Sequence, residues 1–299
     1  MLVLANNSLT GAIPSSIGNL SSLTLLSLML NNLQGIIPEE LCRLSKLITF
    51  QVAENLLKGT IPPTLFNISS LDYFSVASNE LHGSLPPSLG VKLPKFTTLL
   101  LGVNKFSGTI PASLSNASML QMTDLSINQF SGTVPPVFGG MLDLFYLNLE
   151  NNQFEANDAK DLSFIDSLVN CSNLQVFSIG YNQFGGVLPL SLANFSKAVR
   201  FLVTTSNHFS GIIPHGIENL ISLNLLDFSG NNLTGQIPEY IGKLSMLQSL
   251  NFQDNKLTGY IPSSIGNLTQ LTDIYLSGNE FEGYVLQLLQ HSMVLRTSF

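Results

Sequence analysis

An asparagine returns at near-constant intervals through almost the whole of this 299-residue chain. Twelve asparagines are spaced by 24 or 25 residues, apart from one interval of 30 residues. These ladder asparagines are Asn7, Asn31, Asn55, Asn79, Asn104, Asn128, Asn152, Asn182, Asn207, Asn231, Asn255 and Asn279. With a period of this length, each repeat is one small unit that can bury its apolar face only against its neighbours. The repetition therefore predicts a solenoid rather than an ordinary globular domain.

Around each ladder asparagine the sequence follows the pattern LxxLxLxxNxLxGxIP, where x is any residue. One copy consists of Leu23, Leu26, Leu28, Asn31, Leu33, Gly35, Ile37 and Pro38. The LxL alternation has the period of a β-strand, so the leucines face the interior and the residues between them face outward. We expect these strands to form one parallel inner sheet. The asparagine that follows each strand should turn inward and satisfy backbone groups where the chain bends.

The second half of the motif predicts the rest of the repeat. Its glycine permits a positive φ or a close backbone approach, and its proline ends a second short strand. Apolar pairs after the proline, such as Ile17 and Leu20, recur at the spacing of a helical turn. The predicted fold is an α/β repeat solenoid, a right-handed superhelix with a parallel inner β-sheet and short helical or 3-10 turns on the outer side. About twelve repeats should occupy residues 1–285, with an irregular repeat around 152–182 and a degenerate tail over 286–299.

The LxGxIP motif is similar to that of the extracellular domains of plant leucine-rich-repeat receptor-like kinases, and the resemblance covers essentially the whole chain. The long interval contains NNQFEANDAKDLSFIDSLVNCSNLQ, residues 151–175, which resembles the irregular repeat of immune-type receptor kinases of grasses. The resemblance implies a cell-surface receptor that binds a peptide or protein ligand and pairs with a co-receptor kinase. It places such a chain on the extracellular face of the plasma membrane or in the apoplast. Because the family also has a signal peptide, caps, a membrane span and a kinase, the sequence is expected to be truncated at both ends.

Two other functions stay open on the sequence alone. Polygalacturonase inhibitors share the LxGxIP motif, so a secreted protein of that kind is one alternative. A truncated gene product without independent activity is the other.

Any ligand specificity should lie at the inner positions, which are six, four, two and one residues before each ladder asparagine. Of these 48 positions, six are acidic and none is Lys or Arg, so the inner surface should carry a negative field. The candidate ligand-binding residues are Tyr73, Asp124, Tyr146, Glu150, Tyr181, Phe201, Asp227, Asp254 and Tyr275. We therefore expect a ligand segment of net positive charge, anchored on the aromatic residues Tyr146, Tyr181 and Phe201.

The composition and the motifs argue against most other functions. With a net charge of −7 and only twelve scattered basic residues, the chain has no basic surface for nucleic acid. It carries no motif of a hydrolase, a metalloprotease, a kinase or a phosphate-binding loop, so we expect no enzyme activity, cofactor or metal. Eight Asn-x-Ser/Thr sequons are candidates for N-glycosylation if the chain is secreted. They are Asn6, Asn19, Asn67, Asn116, Asn170, Asn194, Asn232 and Asn267.

Overall fold

The computed structural model describes residues 1–283. The chain separates into two compact units, Met1–Gln153 and Phe154–Phe299, and both are built from the same repeat. The degenerate tail predicted over residues 286–299 lies outside the described residues. Within residues 1–283, no helix is long and apolar enough to cross a membrane.

Each repeat contributes one short strand to a parallel inner sheet, as the LxL alternation predicts. Strands are numbered along the chain, and the odd numbers belong to the inner sheet. In the first unit they are β1 (Leu2–Val3), β3 (Leu25–Ser27), β5 (Thr49–Gln51), β7 (Tyr73–Ser75), β9 (Thr98–Leu100), β11 (Met122–Asp124) and β13 (Tyr146–Asn148). In the second they are β15 (Val176–Ser178), β17 (Phe201–Val203), β19 (Leu225–Asp227), β21 (Ser249–Asn251) and β23 (Asp273–Tyr275). Within each unit, successive inner strands pair in parallel with equivalent residues in register, for example Leu226 with Leu250.

Within each unit, the even-numbered strands form a second parallel sheet after the ladder asparagines. They are β2 (Thr10–Ala12), β4 (Asn32–Gly35), β6 (Leu56–Gly59), β8 (Glu80–Ser84), β10 (Lys105–Gly108), β12 (Gln129–Gly132), β14 (Gln153–Ala156), β16 (Gln183–Val187), β18 (His208–Gly211), β20 (Asn232–Gly235), β22 (Lys256–Gly259) and β24 (Glu280–Phe281). The motif glycine is required here: Gly235 has φ +77°, and a Cβ on it would lie 3.0 Å from Cγ2 of Ile212. The second short strand predicted from the motif is therefore confirmed.

Short 3-10 helices follow the second strand in most repeats, as the apolar pairs after the proline predict. They span Ser15–Asn19, Glu39–Arg43, Pro63–Asn67, Ala112–Asn116, Phe138–Gly140, Leu168–Asn170, Leu190–Asn194, Ile217–Asn219, Glu239–Lys243 and Ser263–Asn267. The irregular repeat additionally contains one α-helix, α1 (Ser163–Ser167). Asp158 and Asp161 accept hydrogen bonds from backbone N–H groups in the turn before α1, so these acids order the inserted residues.

The core of each unit is a stack of the motif's apolar positions. Leu26, Phe50 and Phe74 occupy equivalent positions in successive repeats and are fully buried, and the rings of the two phenylalanines lie 5.1 Å apart. In the second unit Phe184 stacks between Phe154 and Phe209, at ring distances of 6.3 and 6.2 Å. Burying one such side chain stabilises the folded state by roughly 1.5–3 kcal/mol. Each repeat therefore depends on the repeat beside it for its stability.

The ladder asparagines do what the sequence predicts. Asn231 is buried, and its Nδ2 donates to the carbonyl oxygens of Thr204, Phe228 and Ser229 at 3.0–3.1 Å. Its Oδ1 accepts the backbone N–H of Phe209 at 3.0 Å. One amide thus satisfies four backbone groups in two adjacent repeats, which a leucine could not do.

Candidate ligand-binding surface

The inner positions lie where strand alternation places them. Tyr73, Asp124, Tyr146, Phe201, Asp227 and Tyr275 lie on inner strands, and Glu150, Tyr181 and Asp254 lie in the turns that follow. On β7, for example, Tyr73 is half-buried whereas the next residue, Phe74, is fully buried. The first unit holds Tyr73, Asp124, Tyr146 and Glu150, and the second holds Tyr181, Phe201, Asp227, Asp254 and Tyr275.

The residue immediately before each ladder asparagine has a left-handed backbone, which the repeat motif does not predict. Ten of these residues are not glycine, and their φ values lie between 51° and 58°. Gly230 and Gly278 occupy the same place in the two remaining repeats, with φ values of 61° and 67°. Tyr181 is one of the ten, and its side chain is 54% exposed. This candidate aromatic residue is therefore exposed in a turn whose conformation costs free energy for a side chain of its size.

In the first unit, acidic and aromatic side chains meet on strands β11 and β13. Oδ1 of Asp124 accepts the backbone N–H of Ser126 at 2.9 Å and its hydroxyl at 2.6 Å. Burial raises the pKa of the Tyr146 phenol, and the charges of Asp124 and Glu150 raise it further. A hydrogen bond from Asn148, 3.4 Å from the phenol oxygen, opposes this shift of the pKa. The phenol is therefore a neutral hydrogen-bonding group beside two carboxylates.

In the second unit, Asp227 belongs to a hydrogen-bond network. Its Oδ1 accepts the backbone N–H of Ser229 at 2.9 Å and its hydroxyl at 2.6 Å, and its Oδ2 accepts from Asn251 at 3.1 Å. The hydroxyl of Ser229 also lies 2.6 Å from that of Thr205. Asp227 thus has a structural role in addition to its charge. The sequence held a signal of this, because Asp-x-Ser occurs at the same place around Asp124 and Asp227.

The remaining two candidate residues of the second unit, Asp254 and Tyr275, differ in their solvent exposure. Asp254 is exposed, and its Oδ2 accepts one side-chain hydrogen bond, from Nε2 of Gln253 at 2.9 Å. Tyr275 is half-buried on β23. Of the two carboxylates, Asp254 is therefore more accessible than Asp227, which is half-buried.

Arg200 is a basic residue beside this surface that the inner positions of the repeat do not include. Its guanidinium carbon lies 5.9 Å from the centre of the Phe201 ring, and its Nε donates to Oδ1 of Asn224 at 2.9 Å. Phe201 itself is 38% exposed. Arg200 lies one residue before β17, so strand alternation does not count it among the inner positions. Its side-chain contacts with Phe201 and Asn224 place it beside them. Arg200 therefore places a positive charge beside Phe201, next to inner positions whose own charges are all acidic.

The ion pairs of the described residues lie away from the candidate acids. Glu80 on β8 lies 3.7 Å from the amine of Lys58 and 3.0 Å from that of Lys105, on the second sheet. The hydrogen bond from Lys105 is the main cause that lowers the pKa of Glu80. Glu218 lies 3.7 Å from the amine of Lys243. Within residues 1–283, no group of three or more His, Cys, Asp or Glu side chains could hold a metal ion.

The predicted glycosylation asparagines fall into two structural settings. Six of them are the last residues of 3-10 helices and are exposed: Asn19, Asn67, Asn116, Asn170, Asn194 and Asn267. Asn232 is half-buried at the start of β20, and Asn6 has a left-handed backbone immediately before a ladder asparagine. Only the first six lie away from the inner sheet and from the second sheet.

Comparison with known proteins agrees with this architecture. Residues 127–273 match the family model described as the EGF-like domain-containing protein ComC LRR domain, and residues 1–20 match the model described as Leucine Rich Repeat. The LRR receptor-like serine/threonine-protein kinase EFR of Arabidopsis thaliana is 42% identical over 28% of this chain. The receptor kinase-like protein Xa21 of Oryza sativa subsp. japonica is 43% identical over 28% of this chain.

The chain is a leucine-rich-repeat protein similar to the ectodomains of plant receptor kinases.

Solved structures extend the similarity over nearly the whole leucine-rich-repeat chain. A TDR receptor has a TM-score of 0.84 and 30% identity, and the match covers 95% of this chain and 52% of that one. The plant peptide hormone receptor RGFR1, in complex with RGF2, has a TM-score of 0.80 and 28% identity, covering 97% of this chain and 53% of that one. The Arabidopsis receptor kinase HAESA, in complex with the peptide hormone IDA and the co-receptor SERK1, has a TM-score of 0.64 and 27% identity, covering 93% and 53%.

The chain corresponds to part of these longer proteins. It spans about half the length of the three solved receptor chains, and the aligned stretch spans 8% of EFR and of Xa21. The relatives include the rice protein Xa21, as the resemblance to grass receptors predicts. The Arabidopsis protein EFR has nearly the same identity to this chain, so the similarity is not confined to grasses.

Proposed function

We propose that this chain is the ligand-binding ectodomain, or part of the ectodomain, of a plant cell-surface receptor kinase, and that it recognises a peptide or protein on its inner sheet. The observation that carries the proposal is the similarity, over 95–97% of the chain, to solved plant receptors that include a peptide hormone receptor with its peptide. Receptor kinases also stand among the curated relatives, which favours this function over that of a secreted polygalacturonase inhibitor.

The proposed ligand has a segment of net positive charge. Asp254 supports this most directly, because it is exposed in the turn that follows the inner strand β21. Glu150, Asp227 and Asp273 add negative charge at other inner positions. A charge on a partly desolvated wall acts on a bound ligand more strongly than the same charge in open solvent.

The test is direct binding of synthetic peptide pools to the purified chain. The pool consists of synthetic 12-residue peptides of random sequence, half rich in Lys and Arg and half rich in Asp and Glu. We expect preferential retention of the basic half, and a weaker preference in the variant Asp254→Asn, because other acidic inner positions remain. This substitution removes the charge and keeps a residue that tolerates a left-handed backbone.

The matched control is Glu280→Gln, which removes an exposed carboxylate from the second sheet. The control should retain the preference for basic peptides. Equal retention of both halves would refute the positive charge of the ligand but not peptide recognition. Retention of neither half would count against peptide recognition itself.

The remaining parts of the proposal concern the setting of the chain. We place it on the extracellular face of the plasma membrane, or in the apoplast, within a longer receptor that pairs with a co-receptor kinase. HAESA, which was solved with the co-receptor SERK1, supports such pairing by similarity. We also propose that residues 1–285 are the repeat region, and that the sequons carry N-linked glycans, above all the six exposed asparagines at the ends of 3-10 helices.

A further inference from the structure

A cavity opens beside the second sheet of the first unit, where the third, fourth and fifth repeats meet. Its volume is about 300 Å³, and it is lined by residues that follow β6 and β8 and by residues of the 3-10 helix Pro63–Asn67. Phe106 on β10 lines it as well. None of the residues around this cavity is an inner position, so it is separate from the candidate ligand-binding surface. Its size is at the lower end of the roughly 300–1,000 Å³ that small-molecule sites have.

Two phenylalanines form the aromatic wall of this cavity. Phe66 is 5% exposed and Phe106 is 2% exposed. Phe66 is unusual for its place in the repeat, because several other repeats hold a glycine there: Gly18, Gly90 and Gly242. The aromatic wall is therefore particular to this cavity. Aromatic rings favour contact with other rings, in stacked or edge-on arrangements.

The mouth of the cavity is polar. Thr60, His82 and Ser84 line it and are exposed. Their hydroxyl and imidazole groups can donate hydrogen bonds to a ligand. An aromatic wall combined with a polar mouth suits a molecule that has a ring at one end and a hydrogen-bond acceptor at the other.

The charge around the mouth is positive. His82 on β8 pairs with Lys105 on β10, and Lys58 lies two residues before Thr60. The amines of Lys58 and Lys105 lie 3.7 and 3.0 Å from carboxylate oxygens of Glu80. Two lysines and one glutamate together carry one net positive charge. Since the chain as a whole has a net charge of −7, this local excess favours an anionic ligand.

We infer that this cavity binds a small aromatic molecule that carries a carboxylate. The ring packs against Phe66 and Phe106, and the carboxylate accepts a hydrogen bond from His82 in the positive field of the two lysines. The cavity is too small for a folded partner, which is why the ligand is a small molecule. The inference goes beyond the proposed function, because a peptide on the inner sheet would not occupy this site.

The experiment is calorimetric titration of the complete chain at neutral pH with three probes: naphthalene carboxylate, naphthalene carboxamide and acetate. We expect the aromatic carboxylate to bind about ten-fold more tightly than the aromatic amide, because a charged acceptor makes the stronger hydrogen bond. Acetate should bind at least as weakly as the amide, because it has no ring to pack against the phenylalanines. Equal affinity for the carboxylate and the amide, equal affinity for the two carboxylates, or no binding of the aromatic carboxylate would overturn the inference.

A pair of histidine variants locates the binding. His82→Asp puts a negative charge at the mouth and should weaken binding of naphthalene carboxylate by about ten-fold. His208→Asp is the matched control, since it makes the same change at an exposed histidine on the second sheet of the second unit, and it should leave the affinity unchanged. Unchanged binding in His82→Asp, or an equal loss in both variants, would overturn the assignment to this cavity. Retention of peptides by the inner sheet does not depend on any of these outcomes, so the proposed function is tested separately.

Discussion

At the scale of the residue, the left-handed backbone before each ladder asparagine is the feature with the clearest energetic cost. Gly230 adopts this conformation at φ +61°, and a Cβ on it would lie 3.1 Å from Oγ and 3.2 Å from Cα of Ser206. We expect Gly230→Ala to lower the free energy of unfolding by about 1–2 kcal/mol, because a Cβ is disfavoured both by the backbone and by Ser206. Urea unfolding followed by circular dichroism measures the change.

Gly140 provides the control for this substitution. It is exposed at the end of a 3-10 helix, and a Cβ there would have nothing within 4 Å. Gly140→Ala should leave the stability unchanged or raise it by about 0.5 kcal/mol through the unfolded state. An equal loss of stability in both variants would show that left-handed geometry is not the cause.

A second prediction concerns hydroxyl groups in the core. Thr123 and Thr204 take inward positions that are usually apolar in the motif, they are 0% and 1% exposed, and their Oγ1 atoms have no hydrogen-bond partner among the described residues. Since a buried hydroxyl without a partner costs about 1–3 kcal/mol, Thr204→Val should raise the free energy of unfolding by roughly 1 kcal/mol. Thr205→Val should instead lower it, because the hydroxyl of Thr205 lies 2.6 Å from that of Ser229. Thermal and urea denaturation of the two neighbouring variants decide the point.

At the scale of the element, the asparagine ladder joins one repeat to the next. Asn231 makes four hydrogen bonds to backbone groups, whereas Asn7, which is exposed, makes two. We expect Asn231→Ala to lower the free energy of unfolding by about 3 kcal/mol, because several buried backbone groups lose their partner together. Asn7→Ala should cost less than about 1 kcal/mol. Amide hydrogen exchange would locate the effect: protection should fall first at Phe209, whose N–H binds Asn231.

At the scale of the whole molecule, the charge composition governs behaviour in solution. The chain has 19 acidic and 12 basic residues and a pI near 5.0, so its net repulsion disappears near that pH. Solubility should therefore be lowest near pH 5 and rise towards pH 7, where the net charge is −7. Light scattering across this range, at fixed ionic strength, checks the prediction. Glu80→Lys, which makes the net charge less negative, should move the minimum to higher pH; an unchanged minimum would contradict it.

The sequence predicts much of the fold because its signals are local and repeated. The alternation around Leu26 predicts an inner strand, and the asparagine after it predicts a buried amide, and both are confirmed. The features of the surface that the sequence does not predict depend on contacts between residues about 24 positions apart. The contact of Arg200 with Asn224 and the network around Asp227 are set by side-chain directions on neighbouring repeats. The left-handed turn is not predicted for another reason. Residues as different as Val103, Ile127 and Tyr181 all adopt it, so the type of residue at this position does not identify the turn.

The turn before each ladder asparagine also limits how such a surface can change its specificity. Four residues per repeat face outward, but one of them must accept a positive φ, which most side chains adopt only at a cost. Seven of the twelve repeats hold Gly, Asn, Asp or Ser at this site, and the other five carry a larger side chain there at that cost. A combinatorial library built on this scaffold should therefore randomise three sites per repeat fully and favour Gly, Asn, Asp and Ser at the fourth.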